Sequence, residues 1–272
     1  MDNPLVSIII TTRNSATTLN KLLGSIQKQI YKKIEIILVD NNSSDNTKEL
    51  ARKFTNNVFQ VGPERSTQRN FGAKKAHGKY LMILDSDMVL TNNVVKECVE
   101  ICQFDKELGA VVIPEISFGK GIWAKAKILE REINQGESFF EAARFFPKEI
   151  FLKFGGYDKN LTGPEDWDLP KRIAKTYAIG RGKSKILHNE GRLTLLTLIR
   201  KKYYYGLSAH KYLTKQKIPV VSPVTIYFLR PAFYKRWPLL LKNPLISLGM
   251  ILMLSVELLG GGFGYLVGRF NR

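Results

Sequence analysis

Runs of apolar, often β-branched residues alternate with segments of helical periodicity along the first part of the chain. The runs at 5–10, 34–39, 58–61, 80–85 and 110–113 have the length of strands, and apolar residues between them recur at three- and four-residue spacing. Short connections between such segments are typical of βαβ units with a mostly parallel sheet. The alternation therefore predicts an α/β fold with a Rossmann-like central sheet.

Two carboxylates one residue apart, Asp85 and Asp87, stand where the apolar run 80–84 ends. Open α/β sheets bind ligands beyond the carboxyl ends of their strands. A carboxylate pair at that place is a hard-oxygen site for Mg²⁺ or Mn²⁺, which usually arrive bound to substrate phosphates. Turns are also rich in Asp, so the pair alone does not decide between a metal site and an ordinary turn.

The positive charge is concentrated toward the C-terminus. The chain has a net charge of +18, and residues 191–272 hold thirteen Lys and Arg residues but a single acid, Glu257. Such asymmetry indicates an anionic partner, either nucleic acid or a membrane surface. Because this charge lies beside an apolar segment, and not among spaced, exposed aromatic residues, we expect no nucleic acid partner.

The apolar segment covers residues 245–267 and has one charged residue, Glu257. As a helix it would measure about 35 Å, enough to cross a hydrocarbon core of about 30 Å. An unpaired Glu257 near its middle would cost about 3 kcal/mol, and the glycines at 260–262 can break the helix into a re-entrant hairpin. A full span, a hairpin and a buried helix of a soluble protein all remain open. We expect an α/β domain at 1–215 and membrane-associated C-terminal helices at 216–272.

Two further features concern the cellular compartment. Cys98 and Cys102 fall four residues apart on a predicted helix, and we expect packed free thiols, as in a reducing cytosol. The N-terminal residues run directly into the first strand with no basic and apolar leader, so we expect no secretory signal. Together with the basic residues before the apolar segment, this predicts a membrane-associated protein whose α/β domain faces the cytoplasm.

Four motifs occur in a characteristic order: 10–14 after the first strand, 39–45 after the second, Asp85-Ser86-Asp87, and 163–168, which contains Glu165 and Asp166. Together with 69–73 and 155–158, they resemble those of family 2 glycosyltransferases, which have the nucleotide-sugar-binding GT-A fold. The resemblance covers about residues 4–190. It implies transfer of a sugar from a nucleotide-diphosphate sugar with inversion at the anomeric carbon.

The resemblance implies a set of nucleotide contacts. Asp40 corresponds to the family's uracil-reading acid, and Asn41 stands where a second acid is common, so UDP is favoured without being certain. Thr11 and Arg13 match positions that flank the base. Arg69 matches an arginine near the nucleotide, where a guanidinium suits a diphosphate. Asp85 would contact the ribose, or the metal through water.

The resemblance also implies a divalent metal, Mn²⁺ or Mg²⁺. Asp87 is expected to bind it directly, with Asp85 nearby and His188 completing the protein ligands, since neutral imidazole binds such ions. The metal would neutralise the diphosphate leaving group as the sugar–phosphate bond breaks.

Asp166 is the expected catalytic base, because inverting transfer needs a carboxylate that takes the proton of the acceptor hydroxyl. Glu165 beside it would hold the acceptor or the sugar. The first turn of a helix, where both acids are predicted, favours negative charge. Weaker candidates for acceptor, sugar or phosphate contacts are Trp123, Arg144 and Trp167, while Asp168 is expected at the surface.

The function predicted from these residues is metal-dependent, inverting glycosyl transfer to a hydroxyl of a lipid-linked or membrane-proximal glycan acceptor. One alternative is a polyprenyl phosphate acceptor, whose oxygen is already ionised and leaves Asp166 little proton to remove. A retaining transferase, a nucleotidyltransferase and an inactive sugar-binding subunit are further alternatives. The sugar and the acceptor cannot be read from the sequence.

Overall fold

The computed structural model describes residues 3–137 and 141–270. The chain divides into two compact units. The first contains Met1–Glu115, Ala142–Lys159 and Glu165–His188, and the second contains Ile116–Glu141, Asn160–Pro164 and Asn189–Arg272. This division differs from the boundary expected after residue 215, because residues 189–215 belong to the same unit as the C-terminal helices.

The first unit alternates strands and helices as its sequence pattern predicts. Its strands are β1 (Val6–Thr12), β2 (Ile34–Asp40), β3 (Val58–Gln60), β4 (Tyr80–Asp85), β5 (Met88–Leu90), β6 (Leu108–Val112), β8 (Ala143–Pro147), β9 (Ala178–Arg181) and β10 (Ile186–Asn189). Its helices are α1 (Ala16–Gln27), α2 (Thr47–Arg52), α3 (Arg65–Lys75), α4 (Val94–Phe104), α6 (Lys148–Lys153) and α7 (Glu165–Ile173). The unit boundary falls inside β7 (Glu115–Phe118).

The main sheet has seven strands in the order β3-β2-β1-β4-β8-β6-β9. Strands β1 to β4 run parallel, whereas β8 is antiparallel to both of its neighbours, β4 and β6. A smaller sheet contains β5 and β10 as an antiparallel pair. The prediction of a mostly parallel α/β sheet is confirmed.

Both faces of the main sheet are covered, as expected for strands that are apolar at nearly every position. The side chains of α1 and α4 join one apolar core, and those of α3, α6 and α7 join the other. Helix α3 lies so close to β1 that a Cβ on Gly72 would come within 2.5 Å of Ile9 Cγ2. Cys98 and Cys102 are buried free thiols on α4, as predicted, and burial raises the pKa of Cys102 to about 12.

The second unit is mainly helical. It contains α5 (Ile122–Asn134), α8 (Leu195–Lys215), α9 (Pro231–Lys235), α10 (Trp237–Lys242) and α11 (Pro244–Phe270). Its apolar core includes Ile133, Leu198, Phe233, Met250 and Leu254.

Helix α11 continues through the glycines at 260–262, so the alternative of a re-entrant hairpin is wrong. The reason is packing against α8, where Gly260 and Gly264 approach the backbone at Ile199 and Tyr203. Within residues 3–137 and 141–270, α11 is the one helix that is long and apolar enough to cross a membrane.

Candidate functional site

Parallel register brings the polar ends of three strands of the first unit to one edge of the sheet. Thr11 of β1 pairs with Asp85 of β4, and Thr12 pairs with Asp40 of β2. The Thr11 hydroxyl lies 3.4 Å from Asp85 Oδ1. This edge is where an open α/β sheet binds its ligands.

Asp40 is fully buried and organises the loop that follows β2. Its Oδ1 accepts hydrogen bonds from the hydroxyls of Thr12 (2.7 Å) and Ser43 (2.5 Å), and its Oδ2 accepts one from the Ser43 amide at 2.8 Å. The neighbouring Asn41 is half-buried beside Gly62, and Arg13 is exposed. The predicted base contacts therefore lie around one loop, in which Asp40 already has partners within the chain.

Arg69 on α3 joins two of the predicted site acids. Its fully buried guanidinium donates to Asp166 Oδ1 at 2.5 Å and to Asp85 Oδ1 at 2.8 Å, and it stacks over the Tyr157 ring with its Cζ 5.0 Å from the centroid. Glu165 Oε1 lies 3.6 Å away. The guanidinium predicted to face the diphosphate is thus surrounded by carboxylates of the protein itself.

Arg144 makes a second bridge between the same two acids. Because β8 is antiparallel to β4, with Phe145 opposite Met82, its first residues lie at the carboxyl end of β4. From there Arg144 Nη1 reaches Asp85 Oδ2 at 3.4 Å and Asp166 Oδ2 at 3.5 Å, while its Nε donates to Glu115 Oε1 at 3.1 Å. A residue considered only for acceptor or phosphate contacts therefore belongs to the centre of the cluster.

These bridges set the charge state of the cluster. Burial alone would raise the pKa of Asp85, but Arg69 and Arg144 outweigh it and hold that pKa well below its usual range. Burial would lower the pKa of Arg69 and of Arg144, but the carboxylates around them, Asp166 first for both, raise both pKa values. The cluster thus holds two permanent cations beside an ionised Asp85.

Asp87 and His188 meet beside this cluster. The pairing of β5 with β10 sets Met88 opposite His188, and His188 Nε2 lies 3.5 Å from Asp87 Oδ2. The other ring nitrogen, Nδ1, lies 3.0 Å from Glu115 Oε2. A carboxylate that accepts from Nδ1–H leaves Nε2 as the lone-pair nitrogen, which is the usual arrangement behind a metal-binding histidine.

The residues present fit a divalent cation that is shared with a phosphate ligand. Asp87 Oδ1 is buried and has no hydrogen-bond partner among the described residues. The other oxygen of the same carboxylate, Oδ2, faces His188. No group of three or more His, Cys, Asp or Glu side chains in the described part of the chain is placed to hold a metal alone. Ions such as Mg²⁺ commonly take one or two protein ligands and complete their shell with substrate phosphates and water.

The acids of α7 have different surroundings. Glu165 is 1% exposed beside Arg65 at 3.2 Å, and burial, together with the neighbouring Asp166, raises the pKa of Glu165. The expectation that Asp168 is at the surface is wrong: it is fully buried and accepts from Arg172 Nε at 2.8 Å. Because a buried charge is costly unless it is paired, the contact with Arg172 allows Asp168 to be buried near the start of α7.

The two predicted tryptophans, Trp123 and Trp167, belong to different units. Trp167 is half-buried on α7 of the first unit. Trp123 is part of the second unit, where it packs against that unit's apolar core.

Two features of the candidate site are not predicted from the sequence. Glu115 contacts both Arg144 and His188, yet its only sequence signal is its position after Pro114 at a strand end. Asn70 donates to the Tyr157 carbonyl at 2.7 Å and accepts from the Tyr157 amide at 2.9 Å. This pair of hydrogen bonds ties the backbone of Tyr157, whose ring lies against Arg69, to helix α3.

The sequence matches the family model described as glycosyl transferase family 2 over residues 7–157. A glycosyltransferase of Haemophilus influenzae is 33% identical over 106 residues, which are 36% of this chain and 42% of that protein. A Campylobacter jejuni protein, GalNAc(5)-diNAcBac-PP-undecaprenol beta-1,3-glucosyltransferase, is 35% identical over 94 residues, or 31% of this chain and 30% of that protein. The matches span less than half the length of these relatives.

Solved structures share the fold. The mannosyltransferase PcManGT from Pyrobaculum calidifontis, in complex with GDP-Man and Mn²⁺, has a TM-score of 0.66 at 17% identity, covering 100% of this chain and 89% of that one. TarS 1-349 of S. aureus in complex with UDP-GlcNAc has a TM-score of 0.57 at 15% identity, covering 98% and 92%. These likenesses show the GT-A fold, and the family match, which spans more than half of the chain, shows that the protein belongs to glycosyl transferase family 2.

Proposed function

We propose that this protein is an inverting, metal-dependent glycosyltransferase that moves a sugar from a nucleotide-diphosphate sugar, with UDP favoured, to a hydroxyl of a lipid-linked or membrane-proximal acceptor. The observation that carries the proposal is the double bridge by which Arg69 and Arg144 join Asp85 at a strand end to Asp166 on α7. It holds a donor-side acid and a candidate base in one fixed cluster.

In this proposal Asp166 acts as the base. An attacking hydroxyl must lose its proton as its oxygen bonds to the anomeric carbon, and a positioned carboxylate accepts that proton. Asp166 Oδ1 is held by Arg69 at 2.5 Å, whereas its Oδ2 faces Arg144 Nη1 at the longer distance of 3.5 Å. Oδ2 is therefore the better placed oxygen to accept the proton, while Arg69 and Arg144 orient the carboxylate.

Asp87 and His188 would hold the divalent ion, with Glu115 orienting the imidazole. When bound, the ion supplies positive charge that stabilises the diphosphate leaving group. The nucleotide is proposed to lie along the ends of β1, β2 and β4, near Thr11, Arg13 and Asn41, with Asp40 shaping the loop beneath the base.

A lipid-linked acceptor is supported by two observations. The C-terminal residues 191–272 combine strong positive charge with the apolar helix α11. The C. jejuni relative has an undecaprenol-linked saccharide in its name. Placement of the protein at the cytoplasmic face of a membrane follows from the same features and is proposed with the acceptor.

The test is release of nucleotide by the purified protein with Mn²⁺, a panel of UDP-, GDP- and dTDP-sugars, and a membrane lipid extract. We expect release from one donor that requires both lipid and metal, is lost in Asp166→Asn, and is retained in the control Asp105→Asn at the end of α4. An α-linked donor sugar should give a β-linked product, which is read by NMR.

Other outcomes assign the alternatives. Undiminished release in Asp166→Asn would indicate a phosphate acceptor in place of a hydroxyl. Retained anomeric configuration would exclude inversion, and release of pyrophosphate would identify a nucleotidyltransferase. Absence of both release and nucleotide binding with every donor would overturn the transferase proposal.

A further inference from the structure

One side of helix α11 is apolar and exposed along the helix length. We call this side the outer face. Its side chains are at least half exposed and recur every three, four or seven residues: Leu245, Leu248, Leu252, Leu259, Phe263 and Leu266. This spacing sets them on one side of the helix. A contiguous apolar surface of this length on a folded unit marks a site of interaction.

The opposite side of α11 is fully used within the second unit. Met250, Met253 and Leu254 are completely buried in the apolar core. Further along, Gly260, Gly264 and Gly268 approach the backbone of α8, and each leaves no room for a Cβ. Small residues at this spacing allow two helix backbones to come close together.

Glu257, the one acid of α11, also lies on the packed side. It is 1% exposed, and its carboxylate accepts from Lys127 Nζ of α5 at 2.9 Å and lies 3.2 Å from Lys202 Nζ of α8. The negative charge of Glu257, which would be costly in an unpaired transmembrane helix, is therefore balanced by Lys127 and Lys202. The same ion pairs tie the middle of α11 to two neighbouring helices.

The alignment of α8 argues against a crossing helix. Gly260, Gly264 and Gly268 face Ile199, Tyr203 and Leu207 in turn, so the two helices run side by side in the same direction. Along this stretch α8 exposes Arg200 and Lys201, and one turn further on it exposes Lys211. If α11 stood upright across a bilayer, α8 would be carried into the hydrocarbon with these cations, which is energetically costly.

Charge identifies the partner for the outer face. Residues 191–272 contain thirteen basic residues and one acid, and that acid is already paired. Just before α11, Tyr234, Lys235, Trp237 and Lys242 are exposed. An apolar helix face beside basic and aromatic residues is typical of helices that lie in the interface of anionic membranes.

We propose that α11 lies in the plane of an anionic lipid surface, with its outer face among the acyl chains and its Glu257 side held on α5 and α8. The inference concerns how the chain meets the membrane and needs no nucleotide donor. Lipid binding and sugar transfer are separate measurements, so either proposal can fail without the other.

The first test is co-flotation of the full chain with vesicles of phosphatidylglycerol and phosphatidylcholine, and with phosphatidylcholine alone. We expect binding that requires the anionic lipid and falls by at least about tenfold in the double variant Leu252→Asn, Leu259→Asn, which loses two apolar side chains from the outer face. The matched control is Phe104→Ser, which changes a side chain that is 95% exposed on α4. Equal binding by all three proteins would overturn the proposal.

The second test separates an in-plane helix from a span by the depth of spin labels at Leu248→Cys, Leu252→Cys, Leu259→Cys and Leu266→Cys. The two native cysteines are buried, so labelling is confined to the new sites. An in-plane helix gives one shallow depth, about 5–10 Å, at all four sites. Depth that is greatest at the central sites, with the ends on opposite sides, would show a span and overturn the proposal. So would a lipid-free dimer that does not bind vesicles and becomes monomeric in the double variant.

Discussion

Arg69 Nη1 lies 2.5 Å from Asp166 Oδ1, although the two residues are 97 positions apart in the sequence. The other end of the same guanidinium binds Asp85 at 2.8 Å. The planar fork of arginine suits two carboxylates at once, whereas the ammonium of lysine is a point charge on a flexible stem. Arg69 thus forms the shorter of the two bridges, beside that of Arg144, between a strand-end acid and the proposed base.

Arg69→Lys is expected to lower turnover by about 10- to 100-fold, because one charge-assisted hydrogen bond worth about 1.5–3 kcal/mol is lost. The KM for the donor should change less than kcat if Arg69 orients Asp166 and does not bind diphosphate. Steady-state kinetics measure both quantities, with Arg52→Lys at the exposed end of α2 as the control. A larger effect on the donor KM than on kcat would instead favour the diphosphate contact that the family resemblance implies.

Glu115→Gln is expected to weaken Mn²⁺ binding by about 10- to 100-fold, the usual effect of removing a carboxylate behind a metal-binding histidine. The side chain keeps its size but no longer offers a charged acceptor to His188 Nδ1, 3.0 Å away. Titration of Mn²⁺ in the presence of UDP, followed by the EPR signal of the free ion, gives the affinity. The exposed Glu107→Gln should leave it unchanged, and unaltered affinity in Glu115→Gln would remove Glu115 from the metal site.

Glu97 predicts a specific pH dependence of stability. Burial would raise the pKa of Glu97, but hydrogen bonds from Ser184 and Lys183 outweigh it and lower the pKa. A lowered pKa contributes stability that is present above the unfolded value of about 4.3 and is lost as the pH falls through the folded value. Urea unfolding should therefore show Glu97→Gln less stable than the wild type at pH 6–7, with the difference shrinking as the pH falls below about 4.3 and through the lowered pKa of the folded state. A difference that does not vary with pH would contradict this reading.

Two glycines of α11 give a matched pair of variants. A Cβ on Gly264 would collide with the Tyr203 carbonyl oxygen of α8, whereas a Cβ on Gly262 would meet nothing within 4 Å. Gly264→Ala should lower the free energy of unfolding by about 1–3 kcal/mol, and Gly262→Ala should raise it by about 0.5–1 kcal/mol, since alanine favours helix. Thermal unfolding compares the two, and equal effects would mean that α8 and α11 are not in close contact.

The long elements of the fold are predictable from sequence because their apolar pattern repeats over many residues. The runs at 5–10, 34–39 and 80–85 correspond to β1, β2 and β4. In contrast, β5, β7 and β9 have only three or four residues each and form because a neighbouring strand pairs with them, which no local pattern reveals. The helix through 260–262 is a similar case, since glycine disfavours helix locally but permits the approach of α8.

Within the candidate site, the family resemblance predicts which residues take part but not which residues they contact. Asp85, Asp87, Asp166 and His188 are all found at the strand and helix ends where the pattern places them. The bridging of Asp85 to Asp166 by Arg69 and Arg144 depends on an antiparallel strand and on contacts between residues far apart in the chain. The burial of Asp168 depends likewise on Arg172, which donates a hydrogen bond to it. Arginine is usually a surface residue, so its sequence position does not reveal this contact.

The first unit is interrupted after Glu115 and resumes at Ala142. On either side of this interruption, Arg144 Nε donates to Glu115 Oε1 at 3.1 Å. This ion pair joins the two segments of the first unit that residues 116–141 separate. The intervening residues contain α5, whose Ile133 packs in the core of the second unit and whose Lys127 pairs with Glu257. Arg144 also contacts Asp85 and Asp166, so the link between the two segments is part of the carboxylate cluster itself.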